Sequence, residues 1–238
     1  MSILKIPILI MSHGQNEPVL RGLYRNWRKW EFDWYKVIVV SNQEYNYEDF
    51  APWDCLLVPR SNWKEEWLLA IRKLKELGYV RFILYLDDFY LTSRPSLEGL
   101  LSACKIRTNY IRLTPYERPY YQRLFSRQQG CESIPRDHPY YSSLQIAIWN
   151  LDYFESQLLK ASDIWDFERL PGANHMSVCK AVFSYRHSVE KGRWKWYALL
   201  LFRKEIDGVY YLKEREGFLS LAAVLDVARF LKFNLIGY

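Results

Sequence analysis

Arg81-Phe82-Ile83-Leu84-Tyr85-Leu86-Asp87-Asp88-Phe89-Tyr90-Leu91-Thr92 is the stretch on which the reading of this chain turns. A run of apolar, β-favouring residues passes straight into two adjacent carboxylates, and apolar residues resume after them. An ionised carboxylate without a partner is expensive to bury. Two of them at the end of a buried strand therefore point to something positive that meets them there. A divalent metal carrying phosphates is one candidate. The other reading is local: Asp87 is solvated and Asp88 caps the turn that follows.

Ser61 and Asn62 offer a helix N-cap, apolar spacing through Trp67, Leu68, Ile71 and Leu74 predicts a helix over Trp63 to Leu77, and Gly78 stops it. Val80 to Leu86 is then a strand. Nearer the N-terminus, Ile3 to Met11 reads as a strand that ends in the polar turn Ser12-His13-Gly14-Gln15-Asn16. Glu17 to Trp30 carries helical spacing, Tyr35 to Ser41 is a β-branched strand, and Leu56-Leu57-Val58 is a weaker one. Strand, helix, strand, strand, helix, strand predicts an α/β fold: a Rossmann-like, mostly parallel sheet flanked by helices, in a single domain over 1–238. Open sheets of this kind place ligands beyond the carboxyl ends of their strands. That position favours the metal reading of Asp87 and Asp88, and it makes the turn at Ser12 a candidate ligand loop.

Downstream, Ser96 opens a short helix through Cys104, and Tyr110 to Leu113 is another strand. Residues 115–141, with Pro115, Pro119, Pro135 and Pro139 among Arg and Tyr, read as an irregular insertion or lid. Ser142 or Ser143 is expected to cap a helix from Leu144 to Leu159. A final helix, about Phe218 to Phe233 within a 217–238 helical segment, is apolar on most sides. Core packing is its default role, and contact with a membrane surface stays open.

The net charge of +6 favours anionic partners, but the basic residues form no run, so no nucleic-acid arm is expected. Ten Trp and nineteen Tyr suit a surface that stacks on sugar or planar faces, or one that rests at a membrane interface. The four cysteines are far apart and include no Cys-x-x-Cys pair, which argues against a zinc site and a disulfide framework. The first residues read as a strand, not a secretion signal, and no apolar run reaches spanning length. A cytoplasmic protein is expected, peripheral at the inner face of the membrane at most.

Further carboxylates lie in Trp165-Asp166-Phe167-Glu168. A carboxylate among aromatics is partly desolvated, which raises its pKa and suits general-base work. The bland alternative is a helix start whose Asp166 and Glu168 favour the dipole and face water. His13, His175 and His187 are each open either to a structural role or to a metal or phosphate. There is no Gly-rich phosphate loop and no Gly-x-Ser-x-Gly elbow, which argues against dinucleotide oxidoreductases, ATPases and serine hydrolases.

Tyr85 to Thr92 resembles the metal-binding acidic motif of GT-A glycosyltransferases. Its surroundings are similar to a group of small bacterial enzymes of surface-polysaccharide assembly, of capsule or lipopolysaccharide. The pieces are the opening strand, polar turn and aromatic helix from Ser12 to Trp30, Ser61-Asn62-Trp63, Asn109 to Leu113, Ser143-Leu144-Gln145, Trp149-Asn150, the Trp-x-Phe-Glu segment and Gly192-Arg193-Trp194. The resemblance implies a nucleotide-sugar donor bound over the strand ends, with Mn or Mg as cofactor. Asp88 would face the metal or diphosphate, with Asp87 nearer the ribose or sugar, and His187 is a further candidate ligand. Glu168 would be the base at the acceptor hydroxyl, with Asp166 as the fallback, and Ser12, His13 and Gly14 would lie near the nucleotide. The group's commonest acidic motif is Asp-x-Asp; here the carboxylates are adjacent, between Leu86 and Phe89, which leaves the number of metal ligands open.

The expectation is a glycosyltransferase, inverting, acting on a glycan or lipid-linked acceptor. Two alternatives stand beside it. A metal-dependent nucleotidyltransferase would use the same acidic pair, and a non-catalytic module for a glycan or membrane surface would use the same aromatics and charge.

Overall fold

The computed structural model describes residues 6–12, 16–32, 36–43, 50–115, 130–136, 138, 141–172, 174–187, 189–190 and 193–195. His13, Gly14, the Gly192 position and the expected 217–238 helix lie outside the described residues, as does most of 115–141.

The elements run β1 (Ile8–Met11), α1 (Glu17–Lys29), β2 (Val37–Ser41), β3 (Asp54–Leu57), α2 (Trp63–Glu76), β4 (Arg81–Leu86) and β5 (Phe89–Leu91). They continue α3 (Leu97–Lys105), β6 (Tyr110–Arg112), β7 (Cys131–Ser133), β8 (Ala147–Asn150), α4 (Leu151–Lys160), α5 (Ile164–Arg169), β9 (His175–Val178), β10 (Tyr185–His187), β11 (Val189–Glu190) and β12 (Arg193–Trp194). Local chemistry sets many of these bounds. Asn62 and Ser96 cap α2 and α3 by accepting from the Glu65 and Gly99 backbone N–H groups at 3.0 and 3.1 Å. Gly78 stands at φ +80°, the left-handed conformation that ends α2.

Among the described residues, eight strands form one sheet in the order β3-β2-β1-β4-β8-β6-β9-β7. The first four are parallel, β8 runs against both β4 and β6, β9 is parallel to β6, and β7 is antiparallel to β9. The fold is mixed α/β, a large central sheet flanked by helices. Alternate residues of each strand serve opposite faces. Ile8, Ile10, Val37, Val39, Ile83 and Tyr85 join Leu20, Leu23 and Trp27 of α1 on one side. Leu9, Ile38, Val40, Phe82, Leu84 and Trp149 meet Trp67, Ile71 and Leu74 of α2 and Phe154 and Leu158 of α4 on the other. Burial on both faces is why these strands are apolar without alternation.

One expectation is corrected. The helix predicted from Leu144 begins only at Leu151, and Ala147–Asn150 is strand β8. Leu144, Ala147, Ile148 and Leu151 recur at helical spacing, but Ile146 through Trp149 are all buried, as a strand covered on both faces requires. Asn150, not Ser142 or Ser143, is the cap: its side chain accepts from Tyr153 N–H at 2.9 Å. Within the 115–141 span, Cys131–Ser133 adds β7 to the sheet edge.

Candidate active site

Strand β1 lies between β2 and β4, so the chain leaves it toward one side while β4 occupies the other. This is a topological switch point, where the carboxyl ends of neighbouring strands open a crevice. Met11 and Leu86 are paired in register, which puts the next residues, Ser12 and Asp87, face to face across that crevice. Ser12 Oγ donates to Asp87 Oδ2 at 2.8 Å, and Asn16 Nδ2, at the start of α1, donates to the same oxygen at 3.2 Å. Burial, with the neighbouring charge of Asp88, raises the Asp87 carboxyl to about 7 despite these two donors.

After the acidic pair the chain turns out of the large sheet. Tyr85 Oη donates to the Phe89 carbonyl at 2.6 Å, closing the turn. Strand β5 then pairs antiparallel with β10, with His187 opposite Phe89. Phe89 stacks on Tyr185 at 4.2 Å between ring centroids and meets the His187 ring edge-on at 4.3 Å. This aromatic packing holds His187 Nδ1 3.2 Å from Asp88 Oδ2.

The opposite wall comes from α5. Asp163 caps it by accepting from Asp166 N–H at 2.8 Å, while Asp166 Oδ2 accepts from the N–H and the hydroxyl of Ser162 at 2.8 and 3.2 Å. Phe167 is buried in the core, and Trp165 is 61% exposed. Glu168 lies three residues beyond Trp165, on the same face of the helix. Its Oε1 accepts from Leu144 N–H at 2.9 Å. Burial raises the Glu168 carboxyl above the usual range; the Leu144 N–H and the nearby Arg112 charge pull it back in part.

These walls enclose a cleft of about 410 Å³ that includes Asn16, Glu66, Asp87, Gln145, Glu168 and His187 among its lining, with Trp63, Trp67 and Trp165. Of the expected site residues, the structure thus brings together Ser12, Asp87, Asp88, His187 and Glu168. Asp166 is engaged at the helix N-terminus. His175 sits elsewhere: buried, it meets Tyr153 Oη through Nε2 at 2.7 Å, and its Nδ1–H donates to the Tyr141 carbonyl at 3.0 Å. Burial pulls it down to about 4, so it is neutral.

Three residues escaped the sequence reading: Asn16, Glu66 and Arg112. Glu66 is buried at the cleft, with Oε1 accepting from Ser61 N–H at 3.0 Å. Its signal was a carboxylate on the apolar stripe that carries Trp63, Trp67 and Ala70. Arg112 gave the same signal as Asp87, a charge within an apolar strand. Asn16 gave none beyond its polar turn.

Asp88 and His187 could contribute to a metal site, but among the described residues no group of three His, Cys, Asp or Glu side chains is placed to hold an ion alone. The pair fits an ion that substrate oxygens also ligate, the usual arrangement for magnesium at phosphates. Among the described residues the cleft lining holds three carboxylates and no Lys or Arg.

No family model and no curated protein matches the chain. Among solved structures it is similar to the galactosyltransferase LgtC in complex with donor and acceptor sugar analogues, at 12% identity over 67% of this chain and 63% of that enzyme's length, with a TM-score of 0.41. It is similar to 4-diphosphocytidyl-2C-methyl-D-erythritol synthase at 12% identity, 86% and 100% coverage and a TM-score of 0.47. A third is the mannosyltransferase PcManGT from Pyrobaculum calidifontis in complex with GDP-Man and Mn2+, at 10% identity, 98% and 81% coverage and a TM-score of 0.43. At this level of likeness the fold rests on the chain's own strands, and its chemistry on its own side chains.

Proposed function

We propose that this chain is a glycosyltransferase that moves a sugar from a nucleoside-diphosphate donor to an acceptor hydroxyl. One observation carries the reading: Asp87, at the switch-point end of β4, and a desolvated carboxylate, Glu168, line the same cleft from opposite walls, with Asp88 next to Asp87 and held against the cleft residue His187. The donor lies over the strand ends, with Ser12, His13 and Gly14 toward the nucleotide, Asp87 toward the ribose or sugar, and Asp88 with His187 toward the diphosphate. Those two side chains would hold Mn or Mg, which when bound offsets the charge of the departing diphosphate. Glu168 takes the proton of the acceptor hydroxyl while that oxygen bonds to the anomeric carbon and the bond to the diphosphate breaks. Its raised pKa supports that role, because a base works best when its pKa lies near the working pH. A single base opposite the leaving group suits inversion.

A glycan or lipid-linked acceptor of bacterial surface-polysaccharide assembly, met in the cytoplasm or at the inner membrane face, is the setting that suits the +6 charge. Among the described residues no helix is long and apolar enough to cross a membrane, and flotation with anionic liposomes tests peripheral contact.

The test is donor turnover with a panel of nucleotide sugars, with and without manganese, in the wild type, Asp88→Ala and Glu168→Gln. Release of a nucleoside diphosphate that collapses in both variants is expected; full activity in both ends the assignment. Release of pyrophosphate instead would identify a nucleotidyltransferase acting through the same acidic pair. No donor binding by calorimetry under any condition would leave a non-catalytic binding module.

A further inference from the structure

Arg112 ends β6 at the same edge of the sheet as Asp87, with β8 between their two strands. Neighbouring strands lie about 4.8 Å apart, and Arg112 is level with Leu84 through Ala147, so Asp87, three residues further along at about 3.3 Å each, is about 14 Å away between Cα atoms. Arg112 and Tyr110 alternate with Ile111 and so share one face, the one on which Tyr110 packs with α2, α4 and Phe167 of α5. The side chain is only 5% exposed. Its hydrogen-bond partners are neutral: Nε donates to Thr114 Oγ1 at 3.4 Å, and Nη2 donates to Gln145 Oε1. Nη1 is buried with no partner among the described residues. A guanidinium is always charged and presents a planar fork suited to two oxygens of one anion. Burying it among neutral acceptors with one nitrogen unmet is costly, and the structure supplies no carboxylate at ion-pair distance among the described residues to offset this. What it supplies is a position. Gln145, bonded to the fork, lines the cleft, and the Arg112 charge is felt at Glu168 and Tyr185.

We infer that Arg112 is the receptor for an anionic group on the acceptor, so that the cleft selects an acidic sugar such as a hexuronate. Gln145, which lines the cleft, occupies the fork through Nη2; the carboxylate of that sugar displaces it there and reaches Nη1, and the hydroxyl to be glycosylated is left beside Glu168. Asp87 and Asp88, about 14 Å or more away across β8, are left for the donor. This rests on the proposed glycosyl transfer only in naming the ligand as the acceptor. The anion site itself stands on the burial and the unmet nitrogen.

The test is binding at constant ionic strength of methyl glucuronide against methyl glucoside, followed through the arginine Nε–H resonances and by calorimetry. Wild type is expected to bind the glucuronide about tenfold or more tightly, the worth of one charge-assisted pair. The Nε–H resonance that disappears in Arg112→Met should be among those that move. Arg112→Met should bind both sugars alike, and Arg112→Lys, which keeps the charge without the fork, should fall between. Equal binding of the two sugars by the wild type overturns the inference whether or not either variant folds. So does a preference that survives in Arg112→Met. A protein that discriminates through Arg112 yet turns over no nucleotide sugar would sink the proposed function and leave the acidic-sugar site standing.

Discussion

Replacing Asp87 with Asn should stabilise the metal-free protein, by an amount that depends on pH in a defined way. The carboxyl is held at about 7 in the folded chain against 3.8 ordinarily, a displacement that corresponds to about 4 kcal/mol. The sign follows from proton binding. Below about pH 4 both folded and unfolded chains carry the proton, and Asp87 costs nothing. Between about pH 4 and 7 the folded chain keeps a proton that the unfolded chain has lost, so stability falls as pH rises, and above about 7 the full penalty stands. Asn removes the charge and keeps the local contacts, because Ser12 and Asn16 both donate to Oδ2 and an amide carbonyl in that place accepts both. His175 acts in the opposite sense. Its folded value is depressed to about 4 from 6.5, so its contribution to stability is lost as pH falls through that window. The wild-type profile alone is therefore ambiguous, whereas the difference between variant and wild type cancels His175. Urea unfolding in chelator-containing buffer across this range should give a difference near zero at the acid end, rising to about 4 kcal/mol at the alkaline end. A difference that stays flat with pH would refute the placement of Asp87 as a buried carboxylate.

Glu168→Gln should lower kcat by about 10²- to 10⁴-fold in steady-state assays, with urea stability little changed because the amide oxygen still accepts from Leu144 N–H. His187→Ala should weaken manganese-dependent binding of the nucleoside diphosphate about tenfold or more, measured by calorimetry, and leave metal-free binding alone. Gly172→Ala would set a Cβ 2.3 Å from Tyr153 Oη and 2.6 Å from His175 Nε2. It should cost about 1–3 kcal/mol by urea melts, and adding Tyr153→Phe should relieve part of that cost, since removing the hydroxyl opens the space.

Local rules carried the reading of the first ninety or so residues because each element there is decided by its own neighbourhood. Asn62 and Gly78 bound α2, Ser96 opens α3, and the β-branched run ending at Ser41 has no other way to be buried on both sides of a sheet. The same rules failed at Leu144–Asn150, where a continuous apolar run satisfies helix and strand spacing alike. Only the vacant position between β4 and β6 distinguishes them, and that vacancy belongs to the assembled sheet.

The site divides in the same way. By itself the sequence established that Asp87 and Asp88 end a buried strand and that Glu168 sits among aromatics, since charge in an apolar context is visible without coordinates. It did not establish that His187, 99 residues from Asp88, meets it, or that Asp87 answers Ser12 across a strand register. Those contacts come from pairing between strands distant in the chain. Nor did it separate Asp166 from Glu168, which are two residues apart: one closes the helix start on Ser162 and the other lines the cleft, because a helix turns successive side chains about 100° apart. Arg112 shows the boundary most plainly. Its charge was visible in the strand, but whether a partner answers it depends on which groups the folded chain brings within reach.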